Sequence, residues 1–376
     1  MARKGENIYK RKDGRWEGRY TKAYSDLQKP VHGYVYGKTY AEAKQKLTEA
    51  KANVIYGRLP ANTKVVCYND VLSAWLFSEK LKTKESTFAR YSHLVDCHIR
   101  KPLGTNMLNM IETETVESYI LSLLSEGRSD NTGGLASKTV SDILFIIKSS
   151  MEYAADKGYT VVCNTKKLSV KVSEHDIRVF SKIEQNSLTS YLLNDLDVSK
   201  LAVLLCLYTG IRIGELCALR WEDIDIENKV LSVNKTLIRI QNTNTLIASK
   251  TKIIISAPKS KCSIRKIPLP DCIIPLLKAF VQKGDTFFLT GETERFVEPR
   301  TMQNRFKKYV SACNIADANF HALRHTFATR CVELGFEIKS LSEILGHANV
   351  NITLNRYVHS SFELKTLNMN RLSLPA

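Results

Sequence analysis

The sequence has no apolar run long enough to cross a membrane. The longest, Leu201 to Leu207, is far shorter than the roughly 20 residues that a spanning helix needs. No N-terminal signal peptide is recognisable either. Negative charge is also scarce, since 55 Lys and Arg stand against 38 Asp and Glu and leave a formal net charge of +17. Such an excess points to nucleic acid or an anionic membrane surface, and without a membrane segment we expect nucleic acid as the partner and no membrane association.

Paired cysteine motifs are missing as well. The nine Cys are an odd number, and no two of them form a C-x-x-C pair. This usage predicts free, mostly buried thiols in a reducing compartment, so we expect a cytoplasmic protein. His321 and His325 are four residues apart, but no Glu stands between them as it does in the zinc motif H-E-x-x-H. We therefore expect no metal site.

Residues 1–64 differ in composition from the rest, with 15 Lys and Arg against 6 Asp and Glu. Lys10 to Tyr20 contains an Asp-Gly turn followed by alternating residues, and Val31 to Tyr36 alternates again, which predicts two or three short strands. Thr39 and Glu42 form a capping box ahead of an amphipathic helix. A basic sheet backed by a helix can lie in a DNA groove. The alternative is a basic face that only confers solubility.

The remainder reads as two further parts joined by polar linkers. Four apolar stripes at helical spacing between residues 65 and 164 predict a small helical bundle. Beyond it, helical patterns flank an alternating, β-branched stretch from Val230 to Leu269. The predicted fold class is mainly α with small β-sheets. We expect a sheet-plus-helix domain over residues 1–58, a helical bundle over 65–164 and a mixed α/β domain over 175–376.

Three stretches of the last part concentrate reactive side chains. They are LYTGIRIGELCALRW from Leu207, APKSKCSIRKIPLP from Ala257, and the run from Phe320 to Tyr357 that contains HALRH and LGH. His321 and Arg324 share one helical face, and Gly346 can end a helix as a left-handed cap. Singly, such residues are more often a solvated face, a helix end or a core tyrosine. Together, a cationic cluster facing a phenol suits chemistry on a phosphodiester.

In these stretches the chain resembles the tyrosine recombinases, the phage-type integrases. The family pattern has an Arg in T-G-x-R-x-x-E-L, a hairpin Lys in P-K-T-K, then H-x-L-R-H, L-G-H and a Tyr nucleophile. The matching positions here, in the family's order and spacing, are Arg212, Lys259, His321, Arg324, His347 and Tyr357. Ser260 replaces the Thr of the hairpin motif, and Lys261, on the same strand face, competes with Lys259.

Elementary chemistry assigns roles to these residues. Arg212 and Arg324 can neutralise a phosphodiester bidentately while staying charged. The phenol of Tyr357, with an ordinary pKa near ~10, is a weak nucleophile unless flanking cations favour its phenolate. The leaving alkoxide needs a proton, which Lys259 can donate as general acid.

The remaining polar residues have supporting roles. His321 and His347 can hydrogen-bond the phosphoryl oxygens or exchange the phenol's proton. Glu215 either orients a cation or is an ordinary solvated charge of a helix. Because a covalent link keeps the bond energy, we expect no cofactor.

The resemblance implies more than the residues show. It implies a 5′-hydroxyl leaving group, a 3′-phosphotyrosyl bond and a homotetramer on two double-stranded DNA sites. It identifies residues 65–164 as a core-binding domain and residues 1–58 as an arm-site domain, with an excisionase and DNA-bending proteins as accessory partners. It places the chain closest to integrases of temperate phages and Gram-positive conjugative transposons, and hence in bacterial cytoplasm on DNA.

Three other functions compete. A type IB topoisomerase shares the tyrosine chemistry, but it needs no accessory-site domain. A catalytically inactive DNA-binding regulator would retain the fold, although every polar position of the motif is present. An RNA-binding protein would need aromatic-rich strands for base stacking, and the sequence shows no such motif.

Overall fold

The computed structural model describes residues 7–24, 30–55, 66–128, 130, 132–173, 177–243, 249–257, 261–357 and 369. Its contacts divide the chain into two compact units, Met1–Ser173 and Glu174–Ala376. The structure is mainly helical with small antiparallel sheets, which confirms the predicted fold class. The division into domains at 1–58, 65–164 and 175–376 stays a prediction.

The first unit begins with a small sheet. Strands β1 (Ile8–Lys10), β2 (Trp16–Tyr24) and β3 (Pro30–Gly37) pair antiparallel in that order, and helix α1 (Tyr40–Ile55) follows them. Thr39 Oγ1 accepts from the Glu42 backbone nitrogen at 3.2 Å, which is one half of the predicted capping box. The Glu42 carboxylate accepts instead from the Lys38 backbone nitrogen at 2.9 Å. The alternation of β2 points Trp16 and Tyr20 inward, where they pack against Ile8, Ala43 and Leu47. This is the predicted sheet-plus-helix arrangement.

The outer face of this sheet carries tyrosines and arginines. Tyr9 lies opposite Glu17, and Glu17 lies opposite Tyr36, so the three form one row across the strands. Arg11 and Arg15 each stack 5.6 Å from the centre of the Tyr36 ring. The expectation that aromatic strands are lacking is wrong here, because β1 and β3 each supply exposed tyrosines that only strand pairing brings together. Because these strands do present exposed aromatic side chains, a lack of aromatic strands no longer counts against RNA binding.

A helical bundle completes the first unit. Its helices are α2 (Tyr68–Lys82), α3 (Glu85–Leu94), a π-helical segment (Val95–Gly104), a 3-10 turn (Leu108–Met110), α4 (Thr113–Glu126), α5 (Ser137–Asp156) and a 3-10 turn (Thr165–Lys167). The predicted apolar stripes form one core, in which Trp75, Ile99, Ile120 and Ile147 are buried. The buried hydroxyls of Tyr68 and Ser150 bond to each other at 2.7 Å.

The second unit combines helices with two small sheets. Its helices are α6 (Lys182–Leu193), α7 (Val198–Thr209), α8 (Ile213–Ala218), α9 (Ile274–Lys278), α10 (Pro299–Ala312), α11 (His321–Glu333), α12 (Ile338–Leu345) and α13 (Val350–Tyr357), with 3-10 turns at Trp221–Asp223 and Lys261–Ser263. Strands β4 (Ile224–Asp225), β5 (Val230–Val233) and β8 (Arg265–Pro268) form one sheet, and β6 (Thr236–Gln241) and β7 (Thr251–Ser256) form the other. The predicted β-region is thus confirmed, but it is split between two sheets.

Helix α7 is the centre of this unit. Its residues Leu201 to Leu207 are buried on every side, which explains why this is the longest apolar run of the chain. Ser181 and Glu184 form a reciprocal capping box that starts α6. Among the described residues, no helix is long and apolar enough to span a membrane. The residues after Tyr357 lie outside the described part of the chain, apart from Met369.

The cysteine prediction is only half right. All nine thiols are free, but just four of them are buried, at Cys163, Cys206, Cys217 and Cys331. Cys97, Cys262 and Cys272 are exposed. The expectation of mostly buried thiols is therefore wrong.

Candidate active site

The site forms where the end of α7 meets α11. Gly210 ends α7 in a left-handed conformation, with φ of +67°, and a Cβ added there would lie 2.5 Å from the Phe327 side chain on α11. Glycine is therefore required both by the backbone turn and by the close approach of the helices. The turn places Arg212 at the N-cap of α8.

Arg324 is the buried centre of the site. Its side chain, on a residue only 2% exposed, donates from Nη1 to the Gly210 carbonyl at 2.7 Å and from Nη2 to the Leu345 carbonyl at 2.6 Å. Nη2 also lies 3.0 Å from His347 Nε2. Burial, followed by the positive charge of Arg212, lowers the pKa of Arg324 to about 9, so the guanidinium is still charged at neutral pH. One cation thus joins the ends of α7 and α12.

Glu215 holds two more arginines in place. The carboxylate is 4% exposed and accepts from the Arg212 backbone nitrogen at 2.9 Å and from Arg212 Nη1 at 2.8 Å. It also accepts from Arg265 Nη1 at 3.1 Å and Arg265 Nη2 at 2.9 Å. The expectation that Glu215 orients a cation is therefore confirmed.

Arg265 is a site-adjacent residue that sequence reasoning missed. It lies on β8, and its Nε donates to the Ile344 carbonyl at 2.6 Å. The only sequence signal was its place in the motif stretch that contains Lys259. Burial alone would raise the pKa of Glu215, but the hydrogen bonds and charge of Arg265, with Arg212, outweigh it and hold that pKa below its usual value. The carboxylate is thus ionised between two cations.

Arg212 is more accessible to solvent than Arg265 and Arg324, the other arginines of the cluster. Its side chain is 35% exposed, whereas those of Arg265 and Glu215 are nearly inaccessible. Beyond Glu215, its hydrogen-bond partner is the Gly346 carbonyl, at a long 3.5 Å from Nη2. An incoming anion can therefore reach Arg212 while Glu215 fixes its orientation.

His347 has a defined tautomer. It follows Gly346, which ends α12 as the predicted left-handed cap with φ of +66°. A guanidinium only donates, so His347 Nε2 must accept from Arg324, and Nδ1 must carry the proton that it donates to Thr353 Oγ1 at 2.8 Å. Burial and the charges of Arg324 and Arg212 lower the pKa of His347 to about 3, so the imidazole is neutral.

Tyr357 ends α13 and is buried, at 5% exposure. Its Oη lies 2.8 Å from His325 Nδ1, and its ring stacks parallel to that of His347 at 6.5 Å. Burial raises the pKa of Tyr357, and the opposing charges of Arg324 and Arg356 do not compensate for it. The flanking cations favour the phenolate, as expected, but burial outweighs them in the protein alone because a buried phenolate loses its hydration.

His321 does not contact the phenol directly. It is exposed, and its ring meets the His325 ring edge to face at 4.5 Å. Although its side chain is exposed, the neighbouring protein removes part of the hydration of the His321 ring, and this loss, with the charges of Arg324 and Arg212, lowers its pKa to about 4. The histidine that bonds Tyr357 is His325, which sequence reasoning considered only as a metal ligand. The sequence feature that could have identified His325 is its place as the second histidine of HALRH.

Five of the six predicted site residues therefore lie in one cluster, namely Arg212, His321, Arg324, His347 and Tyr357. Lys259 lies outside the described residues. Its competitor Lys261 begins the short 3-10 turn before β8. No group of three or more His, Cys, Asp or Glu is arranged to hold a metal in the part of the chain that the structure describes.

Comparisons with known proteins identify the relatives of this chain. The Phage integrase family model matches residues 178–363. The chain is 31% identical over 358 residues to a "Tyrosine recombinase XerC-like" protein of Caldanaerobacter subterraneus, with 88% of each chain covered. It is 24% identical over 319 residues to the transposase from transposon Tn916 of Enterococcus faecalis, covering 79% of this chain and 75% of that one.

A solved structure shares the fold. The Tn1549 transposon integrase in complex with transposon right end DNA matches with a TM-score of 0.67 at 21% identity. The match covers 82% of this chain and 99% of the integrase. At this identity, the likeness concerns the fold.

Proposed function

The chain belongs to the tyrosine recombinase family, the phage-type integrases, and is a site-specific recombinase of the kind that moves mobile elements; we propose that it cuts and rejoins double-stranded DNA through a 3′-phosphotyrosyl bond to Tyr357. The observation that carries this proposal is the convergence of Arg212, Arg324, His347 and Tyr357 on one cluster.

The arginines supply the electrostatic part of the reaction. As the phosphorus becomes five-coordinate, negative charge builds up on its oxygens and must be neutralised. Arg212 is open to an incoming phosphate, and Arg324, buried near it, is held by hydrogen bonds to two carbonyls. Fixed donors of this kind stabilise the transition state without having to reorganise during the reaction. We assign both arginines to the scissile phosphate, with His321 and His347 as neutral hydrogen-bonding partners.

The proposal extends to the assembly. We expect a homotetramer on two DNA sites, with an excisionase and DNA-bending proteins as accessory partners, in the bacterial cytoplasm. The outer face of the N-terminal sheet supports a second DNA contact, because Arg11 and Arg15 lie there beside the exposed Tyr9, Tyr34 and Tyr36. This is the face that we assign to arm sites.

A strand-exchange assay tests the function. Two labelled duplexes that carry the ends of the element encoding this protein are mixed with it, without ATP or added metal. We expect recombinant strands of the predicted lengths. Relaxation of supercoiled DNA without exchange would indicate a type IB topoisomerase, and tight binding without cleavage would indicate an inactive regulator.

We expect Lys259→Ala to slow cleavage because the leaving 5′ oxygen would lack its proton donor. A general acid typically contributes on the order of 10²- to 10⁴-fold. A 5′-bridging phosphorothiolate, whose sulfur leaves without a proton, should restore the rate. Lys261→Ala is the matched variant, and rescue of that variant rather than Lys259→Ala would move the assignment to Lys261.

Deletion of residues 1–64 should separate the two DNA contacts. Since the candidate active site draws only on the second unit, we expect cleavage at a core site to continue at the full rate. Binding to distant arm sites should disappear, because the basic sheet is gone. Footprinting on a complete attachment region measures both. An unchanged footprint on the arm sites would contradict the assignment of the sheet.

A further inference from the structure

Tyr357 Oη needs a proton acceptor, and one histidine touches it. Its proton lies within reach of His325 Nδ1, at an oxygen–nitrogen distance of 2.8 Å. Both side chains are buried, so bulk water does not compete for this hydrogen bond. Because burial also raises the pKa of Tyr357, the phenol keeps its proton in the protein alone and must lose it during attack.

We propose that His325 is a catalytic residue that takes the proton of Tyr357 as its phenol attacks DNA, and returns it when the phosphotyrosyl bond is broken. This inference rests on the proposed function, in which Tyr357 is the nucleophile. The Oη–H bond breaks and the proton moves to Nδ1, while an electron pair of Oη forms the bond to phosphorus. The bond from phosphorus to the 5′ oxygen breaks, and that oxygen takes a proton from the general acid. Rejoining runs the same steps backwards.

The other histidines are less suited to this role. Both nitrogens of His347 are engaged, Nε2 accepting from Arg324 and Nδ1 donating to Thr353. His321 is exposed and meets the edge of the His325 ring. It is therefore one ring removed from the phenol. His325 is the histidine whose acceptor nitrogen points at the reacting oxygen.

The charge state of His325 fits an acceptor. Burial, then His321, Arg356 and Arg324, lower the pKa of His325 to about 4, so the imidazole is neutral at neutral pH. In the tautomer with its proton on Nε2, Nδ1 accepts from the Tyr357 hydroxyl. A bound phosphodiester would bring a negative charge beside these cations, and an opposite charge favours the protonated imidazole. Substrate binding thus raises the basicity of His325 when the proton has to move.

The competing explanation is that His325 only holds the phenol in a resting position. Two substitutions separate these roles. His325→Asn places an amide near the position of Nδ1, where its oxygen can accept from Tyr357 but cannot take the proton. His325→Ala removes both functions. If His325 only holds the phenol in a resting position, His325→Asn should cleave DNA at the wild-type rate and His325→Ala at least as fast.

The experiment is a single-turnover trapping assay on nicked duplex drawn from the ends of the element encoding this protein. We expect both variants to form the adduct on the order of 10²-fold more slowly or worse, with binding to the same duplex unchanged. Imidazole in the buffer should partly restore His325→Ala. The 5′-bridging phosphorothiolate should rescue neither variant, because the missing step is on the tyrosine side. If His325→Ala lacks a cooperative thermal transition, it is not folded, and the cleavage rate of His325→Asn then decides whether His325 takes the proton.

The outcomes separate this inference from the proposed function. If wild-type protein forms the adduct and His325→Asn forms it at the same rate, the proposed role of His325 is wrong. The proposed function of the protein would still stand. Rescue of His325→Asn by the phosphorothiolate would also overturn it, since the defect would then concern the leaving group. Absence of any adduct with wild-type protein would instead remove Tyr357 as the nucleophile.

Discussion

Replacing Tyr357 by Phe is expected to abolish covalent attachment to DNA while leaving binding intact. The substitution removes the one oxygen that attacks phosphorus and keeps the ring. That ring belongs to a small cluster with Ala328, Leu341 and Leu345, so the packing survives. The lost hydrogen bond to His325 should cost only about 0.5–1.5 kcal/mol of unfolding free energy. Activity should therefore vanish in a protein that is still folded.

A denaturing gel on nicked DNA measures this loss, and a mobility shift on the same DNA measures binding. Tyr191→Phe is a matched control, because Tyr191 is half-buried on α6, away from the cluster. We expect that control to form the adduct at the wild-type rate. Covalent complexes recovered from Tyr357→Phe would mean that another residue is the nucleophile.

The second large effect concerns Glu215. Changing it to Gln removes the negative charge between Arg212 and Arg265 while nearly preserving shape. Arg265 would then be a buried cation without a counter-charge, since its side chain is only 5% exposed. Breaking a buried pair in this way typically costs about 3–5 kcal/mol. We expect a loss of that order in unfolding free energy, and slower cleavage because Arg212 loses its orienting partner.

Glu298→Gln provides the control for this measurement. Glu298 also binds one arginine with both oxygens, Arg239, but the pair lies at the surface. Solvent screens such a pair, so its removal should shift the denaturation midpoint far less. Urea denaturation of both variants makes the comparison. Equal midpoints would show that the buried cluster is not a stabilising element.

Much of the fold and of the candidate site could be predicted from residues that are close in sequence. The i and i+3 spacing in HALRH correctly put His321 and Arg324 on one helix, and Gly346 correctly marked a left-handed helix end. These features depend on neighbours in sequence, where helix geometry and glycine's freedom decide the outcome. Glu215 was recognisable in the same way, because its partner Arg212 is three residues away.

Contacts between distant segments could not be anticipated. Arg265 pairs with Glu215 across 50 residues, and His325 meets Tyr357 across 32. The net direction of the Tyr357 pKa shift could not be predicted from the sequence for a related reason. It depends on burial by a cluster whose members come from α11, α12 and α13, while the sequence shows only the nearby cations.

Attack of the Tyr357 phenol on the phosphodiester is the first step of the proposed reaction, and mapping the trapped adduct tests whether it occurs. Wild-type protein is incubated with nicked duplex from the ends of its element, the covalent complex is digested, and the nucleotide-bearing peptide is sequenced by mass spectrometry. We predict a nucleotide joined through its 3′ phosphate to Tyr357. An adduct on any other residue, or none despite tight binding to the same duplex, would rule out Tyr357 as the nucleophile.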